Sequence, residues 1–383
     1  MIQKFKVYIP QSEIDDLKRK IKETRWLNEV NSCDWEFGTS LNYLKELSTY
    51  WEQEFDWKKI ENEINSFPNY TTEIDNYKIH FLHIKSKLKN ATPLLITHGW
   101  PGSFLEMLKI IPHLINNFDI VIPSIVGFGF SENYLKSGVN YGFVAELWHK
   151  LMIKLGYQKY GLQGGDLGAG ISIRLTQNHP ENIIGLHLNY ISDSYQPYLT
   201  EDIGEEIQEY KKYLENWNKK EGAYGAIQST KPLSLAYGLN DSPIGLCAWI
   251  IEKFNSWSDN KGNIENCFSK DELLANVSLY WFTKTIYSSM KIYHEISLSP
   301  LVFAKDDFIE TPVGFVKFPK EIPVPPREYI EKGFNIVHWT EMPKGGHFGA
   351  LEQPELLALD LISFFKKTEK STMHNNGNRC TTQ

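Results

Sequence analysis

Apolar residues recur at helical spacing in two early stretches, SEIDDLKRKIKETRW behind Ser12 and LNYLKELSTYWEQEF from Leu41. Each reads as an amphipathic helix, the first with Ser12 as its cap. YTTEIDNYKIHFLHIK then alternates apolar and polar positions as a hairpin does. Few polar groups converge in this opening segment, which reads as structural packing. From Pro93 the pattern changes. PLLITHGW, FDIVIPSI, KYGLQGGD and IIGLHLNY are short apolar runs of the kind buried on both faces of a parallel sheet. Between them SFLEMLKIIPHLI, YGFVAELWHKLMIKLG and AGISIRLTQN carry helical periodicity. Strand–helix alternation predicts right-handed crossovers and a sheet covered on both sides.

Between about Gln196 and Tyr293 the strand pattern stops. EEIQEYKKYLENWNKK, SPIGLCAWIIEKFNSW and LLANVSLYWFTKTIYSSMKIYHE are helical and rich in aromatics. Strands resume with VGFVKFP and NIVHWTEMP, and PELLALDLISFFKK forms a closing helix. A helical insertion inside an α/β sheet reads as a lid over a pocket. The predicted organisation is an N-terminal extension over residues 1–92, core over 93–195, lid over 196–294, core again over 295–370, and a disordered polar tail over 371–383.

Composition adds boundaries. The chain has 383 residues, 42% of them hydrophobic and 23% charged, with net charge -7, which argues against nucleic acid as a partner. Cys33, Cys247, Cys267 and Cys380 form neither a disulfide framework nor a metal-site spacing, so a reducing, cytoplasmic setting is expected, with no metal and no cofactor. No N-terminal apolar h-region and no run of about 18 apolar residues occurs, so neither signal peptide nor membrane span is expected. Three glycosylation patterns, at Asn69, Asn90 and Asn276, read as chance matches in that setting.

The chemistry gathers at GLQGGDLGAGIS. Gly164, Asp166 and Gly168 give Gly-x-Asp-x-Gly at a strand–turn–helix junction where a serine hydrolase carries Gly-x-Ser-x-Gly. Such a motif alone is more often a turn and helix cap. Its position and partners favour a nucleophile. An aspartate of ordinary pKa, about 3.9, is ionised at neutral pH and needs no base to attack. On an ester it would give an anhydride; on a saturated carbon it gives an alkyl ester that water then cleaves. The substrate class therefore shifts to epoxides or alkyl halides.

His347, in KGGHFGALEQP between the last strand and the last helix, is the expected base that activates water. His80, His83, His187 and His338 sit in strand-like runs and read as packed or surface residues. For the acid that orients His347, Glu321 follows the preceding strand, while Asp306, Asp307, Glu310, Glu328 and Glu341 remain competitors on spacing. HGWPGS, from His98 to Ser103, follows the first core strand. The backbone N–H groups of Trp100 and Leu167 are the expected oxyanion donors, and Trp100–Pro101 is a candidate cis peptide.

These blocks together resemble the microsomal-type epoxide hydrolases and their soluble bacterial and fungal relatives. The match runs from FKVYIPQSEIDDLKRKIKETRW through THGWPGS, PSIVGFGFS, QGGDLGAGIS, STKP and LYWFTKTIYSS to GGHFGALEQPELLALDL. The resemblance implies an α/β-hydrolase fold with a mostly parallel sheet, a helical lid and an N-terminal helical and hairpin extension. It assigns the nucleophile to Asp166, the base to His347 and the orienting acid to Glu321. It assigns Tyr224 and Tyr293 as the lid acids that hold the epoxide oxygen, which the residues alone did not single out among 20 tyrosines. The implied substrate is a small hydrophobic epoxide, and a homodimer is among the assemblies allowed. Two departures stand out: the family's Trp after the nucleophile is Leu167 here, and the anchor helix of membrane-bound relatives is not expected. The alternatives are a haloalkane dehalogenase, which would leave both tyrosines idle, and a catalytically silent receptor. A serine esterase lacks its motif.

Overall fold

Nine strands form one sheet in the computed structural model, which describes residues 1–28, 34–134, 136–199 and 204–378. They are β1 (Gln3–Lys4), β2 (Asn69–Ile74), β3 (Tyr77–Ile84), β4 (Thr92–Thr97), β5 (Phe118–Pro123), β6 (Tyr160–Gly164), β7 (Ile183–Leu188), β8 (Ile309–Lys317) and β9 (Phe334–Glu341). Their order is β1-β2-β3-β5-β4-β6-β7-β8-β9. The pairs from β1 to β5 through β2 and β3 are antiparallel; those from β5 through β4 to β9 are parallel. Every residue of β5 and of β6 is buried, as helices on both faces require.

The chain leaves β4 for β5 on one side and later returns to β6 on the other. The strand order thus reverses at β4, and a ligand crevice opens at the carboxyl ends beside such a reversal. Thr97 pairs with Gly164, which sets the loop after β4 against the turn after β6.

The helices Glu205–Glu221, Ala223–Thr230, Pro232–Asp241, Pro243–Ser256, Lys270–Thr283 and Ile286–Ser297 lie between β7 and β8 in sequence. Three earlier helices, Gln11–Lys22, Leu41–Gln53 and Trp57–Ser66, brace them. Trp51 Nε1 donates to Ser278 Oγ at 3.0 Å, and the Tyr50 hydroxyl donates to Asp271 at 2.9 Å. Elsewhere in the core, Asp360 of the last helix accepts from His187 of β7 and His338 of β9, both at 2.9 Å. Those histidines are packing residues, and so is His80, buried between Ser124 and Asn69. His83 is partly buried against the Tyr157 hydroxyl.

Several expectations change. Ser12 is not the cap of the first helix; Pro10 holds that position, and its carbonyl accepts from the N–H of Glu13. Proline's fixed φ suits the entry to a helix without a side-chain cap. SFLEMLKIIPHLI is two short pieces, a 3₁₀ turn Phe104–Met107 and a helix Ile111–Leu114, because Pro112 has no N–H to continue a helix and fits only in a first turn. Residues 371–378 of the expected disordered tail continue the last helix, Pro354–Asn378; residues 379–383 lie outside the described residues. Asn69 and Asn276 are buried and hydrogen-bonded, so neither is a glycan acceptor. Cys247 and Cys267 are free thiols, while Cys33 and Cys380 lie outside the described residues. Among the described residues no helix is long and apolar enough to cross a membrane, and no cluster has metal-ligand geometry.

Candidate active site

Four strand ends build the site. β6 ends in the glycine turn, and Asp166 opens the helix Asp166–Asn178 with φ of +47°. That left-handed backbone is uncommon for a residue with a side chain and is tolerated at sites that need it. A Cβ on Gly168 would stand 2.1 Å from the Thr97 carbonyl oxygen, so only glycine lets this helix sit against the end of β4.

The loop after β4 supplies Trp100, whose N–H donates to Asp166 Oδ1 at 2.8 Å. The N–H of Leu167 makes no hydrogen bond to the carboxylate, although it lies on the first helical turn, where N–H groups lack helical partners. Trp100–Pro101 is cis. His98, in the same loop, bonds only to backbone: its Nε2 accepts from Ile125 N at 3.2 Å. Burial pushes its imidazole down to about 4, so it is a neutral structural residue.

The loops after β8 and β9 bring acid and base together. Lys320 bridges Gly346 in parallel, extending the β8–β9 pairing by one step and aligning Glu321 with His347. His347 Nδ1 and Glu321 Oε1 are 2.5 Å apart, and His347 Nε2 lies 3.5 Å from Asp166 Oδ2. The His347 and Glu321 side chains are 3% and 2% exposed. The competing acids Asp306, Asp307, Glu310, Glu328 and Glu341 are all exposed. Burial pulls the His347 imidazole down, but Glu321 and Asp166 outweigh it and hold the pKa well above the usual value.

The lid contributes two phenols. Tyr224, on Ala223–Thr230, stacks on the Trp100 ring at 5.4 Å; Tyr293, on Ile286–Ser297, meets the same ring edge-on at 5.9 Å. The two tyrosine rings are 6.0 Å apart and face a cavity of about 350 Å³ that Asp166 and Leu167 also line. Burial pushes both phenols well above 10, and the Asp166 charge adds to the shift. The sequence-predicted residues Asp166, His347, Glu321, Tyr224, Tyr293 and the Trp100 N–H therefore converge on one place. Two polar residues beside them, Glu106 and Gln163, were not anticipated. Glu106 was readable as the far member of a capping box begun by Ser103; Gln163 carried no sequence signal.

Chemically, a carboxylate faces an imidazole on one side and two protonated phenols on the other. That arrangement can open an electrophile, protonate the departing oxygen and activate water. Comparisons with known proteins give the family and the fold. Residues 2–107 match the family model "Epoxide hydrolase N terminus", and residues 92–221 match "alpha/beta hydrolase fold". Epoxide hydrolase 1 of Oryctolagus cuniculus is 36% identical over 407 residues, spanning 96% of this chain and 90% of the relative. The juvenile hormone epoxide hydrolase structure from the silkworm Bombyx mori superposes with a TM-score of 0.84 at 30% identity, covering 97% of this chain and 94% of its own. The Aspergillus niger epoxide hydrolase structure gives 0.85 at 30% identity, covering 96% and 97% respectively. The chain belongs to the epoxide hydrolase family and is built on the α/β-hydrolase fold.

Proposed function

We propose that this enzyme converts a small hydrophobic epoxide and water into a vicinal diol through an ester on Asp166. Asp166 is the nucleophile, His347 the base, Glu321 its orienting acid, and Tyr224 and Tyr293 the acids. The observation that carries the reading is the pair of phenols facing Asp166 across one cavity. Oδ1 is engaged by the Trp100 N–H at 2.8 Å, so Oδ2, met only by His347 Nε2 at 3.5 Å, is the oxygen that attacks the ring carbon. The C–O bond of the ring breaks, and the alkoxide takes a proton from a phenol that burial keeps protonated.

Ester formation removes the Asp166 charge, one of the contributions that hold the His347 pKa high. The imidazole then releases its proton to solvent more readily, to regain it from solvent when the Asp166 charge returns, and, once neutral, accepts one from water as the hydroxide attacks the ester carbonyl. Trp100 and Leu167 N–H groups hold the oxyanion. Collapse breaks the acyl C–O bond, the imidazolium protonates the departing diol oxygen, and the proton of the regenerated carboxyl restores the phenol. A halide leaving group would need no such proton, which leaves the dehalogenase alternative without a use for the two tyrosines.

A single turnover with enzyme in excess, in water enriched in heavy oxygen, tests the route. The label is expected in the Asp166 carboxylate and absent from the first diol. Label in that diol would exclude the ester.

A further inference from the structure

Asp166 separates two cavities. The larger holds both tyrosines; the smaller, of about 20 Å³, is lined by Asp166 and His347 but by neither tyrosine, and His347 does not line the larger. The base therefore addresses the nucleophile from a different chamber than the acids do. The remaining walls of the small cavity include Glu106, Gln163 and Asn189. Its volume is that of one water, for which about 10–15 Å³ suffices in a polar setting. Gln163 is 2% exposed, and its amide nitrogen donates to Asn189 Oδ1 at 2.9 Å. Its Oε1 is buried with no partner in the protein. Buried acceptors of this kind are satisfied by protein or by water.

We propose that the small cavity binds the water that cleaves the ester, and that Gln163 and Glu106 are the positioning residues that hold it. The proposal rests on the aspartyl-ester reading above and gives that reading its water site. While the alkyl group occupies the larger cavity, water reaches the ester carbonyl only from the His347 side. One hydrogen of the water points to His347 Nε2 and the other to Gln163 Oε1, which leaves a lone pair for the Asp166 carbonyl carbon. Glu106 anchors the opposite wall, accepting from the Ser103 N–H at 3.0 Å. Burial pushes its carboxyl up to about 8, so near neutral pH it can donate its proton to the water's second lone pair. On attack the water oxygen bonds to the carbonyl carbon, one proton passes to His347, and the acyl C–O bond then breaks.

Rapid-quench mass spectrometry of Gln163→Met, Glu106→Met and Glu106→Gln, following the adduct on Asp166 with styrene oxide, separates the two steps. Gln163→Met and Glu106→Met should form the ester near the wild-type rate and lose it at least about tenfold more slowly, because misplacing a reactant is costly. Glu106→Gln keeps both the cap acceptor and a donor toward the water, so it should restore hydrolysis and lose any rate change near pH 8. A residue that only caps the turn would disturb Trp100 and slow ester formation as well. If Gln163→Met does not fold, the Glu106 pair decides. Ester decay at the wild-type rate in the Met variants, or equal slowing of both steps, overturns the water site. Absence of any ester in the wild type overturns the aspartyl-ester reading itself.

Discussion

Glu321 never touches the substrate cavity; its influence passes through the 2.5 Å contact with His347. Its charge is the largest of the influences that raise the His347 pKa against burial. In Glu321→Gln that anion is gone, so the imidazolium loses its proton at lower pH. On the proposed route ester hydrolysis needs neutral imidazole and rises as pH passes the His347 pKa, so its rising limb should move to lower pH in the variant. The plateau should also drop, by as much as about 100-fold, since the base is no longer held in the tautomer that leaves Nε2 free. Ester formation uses Asp166 and the phenols and should change far less. Stopped-flow measurement of both steps from pH 5 to 9 checks this. An unmoved limb with both steps equally slowed would assign Glu321 to folding rather than to tuning His347.

Among the elements, the helix Asp166–Asn178 depends most on a single small residue. Gly168→Ala puts a methyl group into the Thr97 carbonyl, so the helix must retreat from β4 at a cost of about 1–3 kcal/mol. The elbow then moves relative to Trp100, and ester formation should fall together with the melting temperature. Gly142→Ala, where a Cβ meets only the Asn140 side chain at 3.5 Å, should leave both nearly unchanged and is the control. Equal effects from the two substitutions would argue against the packing account. This junction was legible in the sequence because strand, glycine turn and helix are local patterns. The parallel strands were legible too, since full burial makes continuous apolar runs such as Phe118–Pro123. Glu321 was not separable from five other acids by spacing, because the bridge between Lys320 and Gly346 that aligns it is a non-local contact. The break in SFLEMLKIIPHLI was missed although Pro112 marked it; the apolar period outweighed the proline. Tyr224 and Tyr293 carry no local signal, and their meeting over Trp100 is made by tertiary packing.

At the scale of the whole molecule, the two steps of the proposed reaction draw on different parts of the architecture. On the proposed route, ester hydrolysis relies on the core alone: the loops after β8 and β9, with Gln163 of β6 and Glu106 beside them. Ester formation also needs the lid phenols, and the lid is braced from outside by the N-terminal helices. Trp51 is 1% exposed and donates to Ser278 on Lys270–Thr283, and Trp57 meets Phe282 of that helix at 5.0 Å. The chain then turns at Lys284, with φ of +54°, directly into the helix that carries Tyr293. A loosened Lys270–Thr283 is thereby a displaced Tyr293. Trp51→Leu removes the indole donor, leaves Ser278 unpaired and opens space, so a loss of about 2–4 kcal/mol is expected. Below its melting temperature this variant should form the Asp166 ester several-fold more slowly while hydrolysing it at the wild-type rate, the reverse of the Glu321→Gln pattern. Thermal melting and single-turnover kinetics on one preparation give both numbers. A variant that melts early yet forms the ester at the wild-type rate would show that the N-terminal helices stabilise the protein without setting the position of the lid acids.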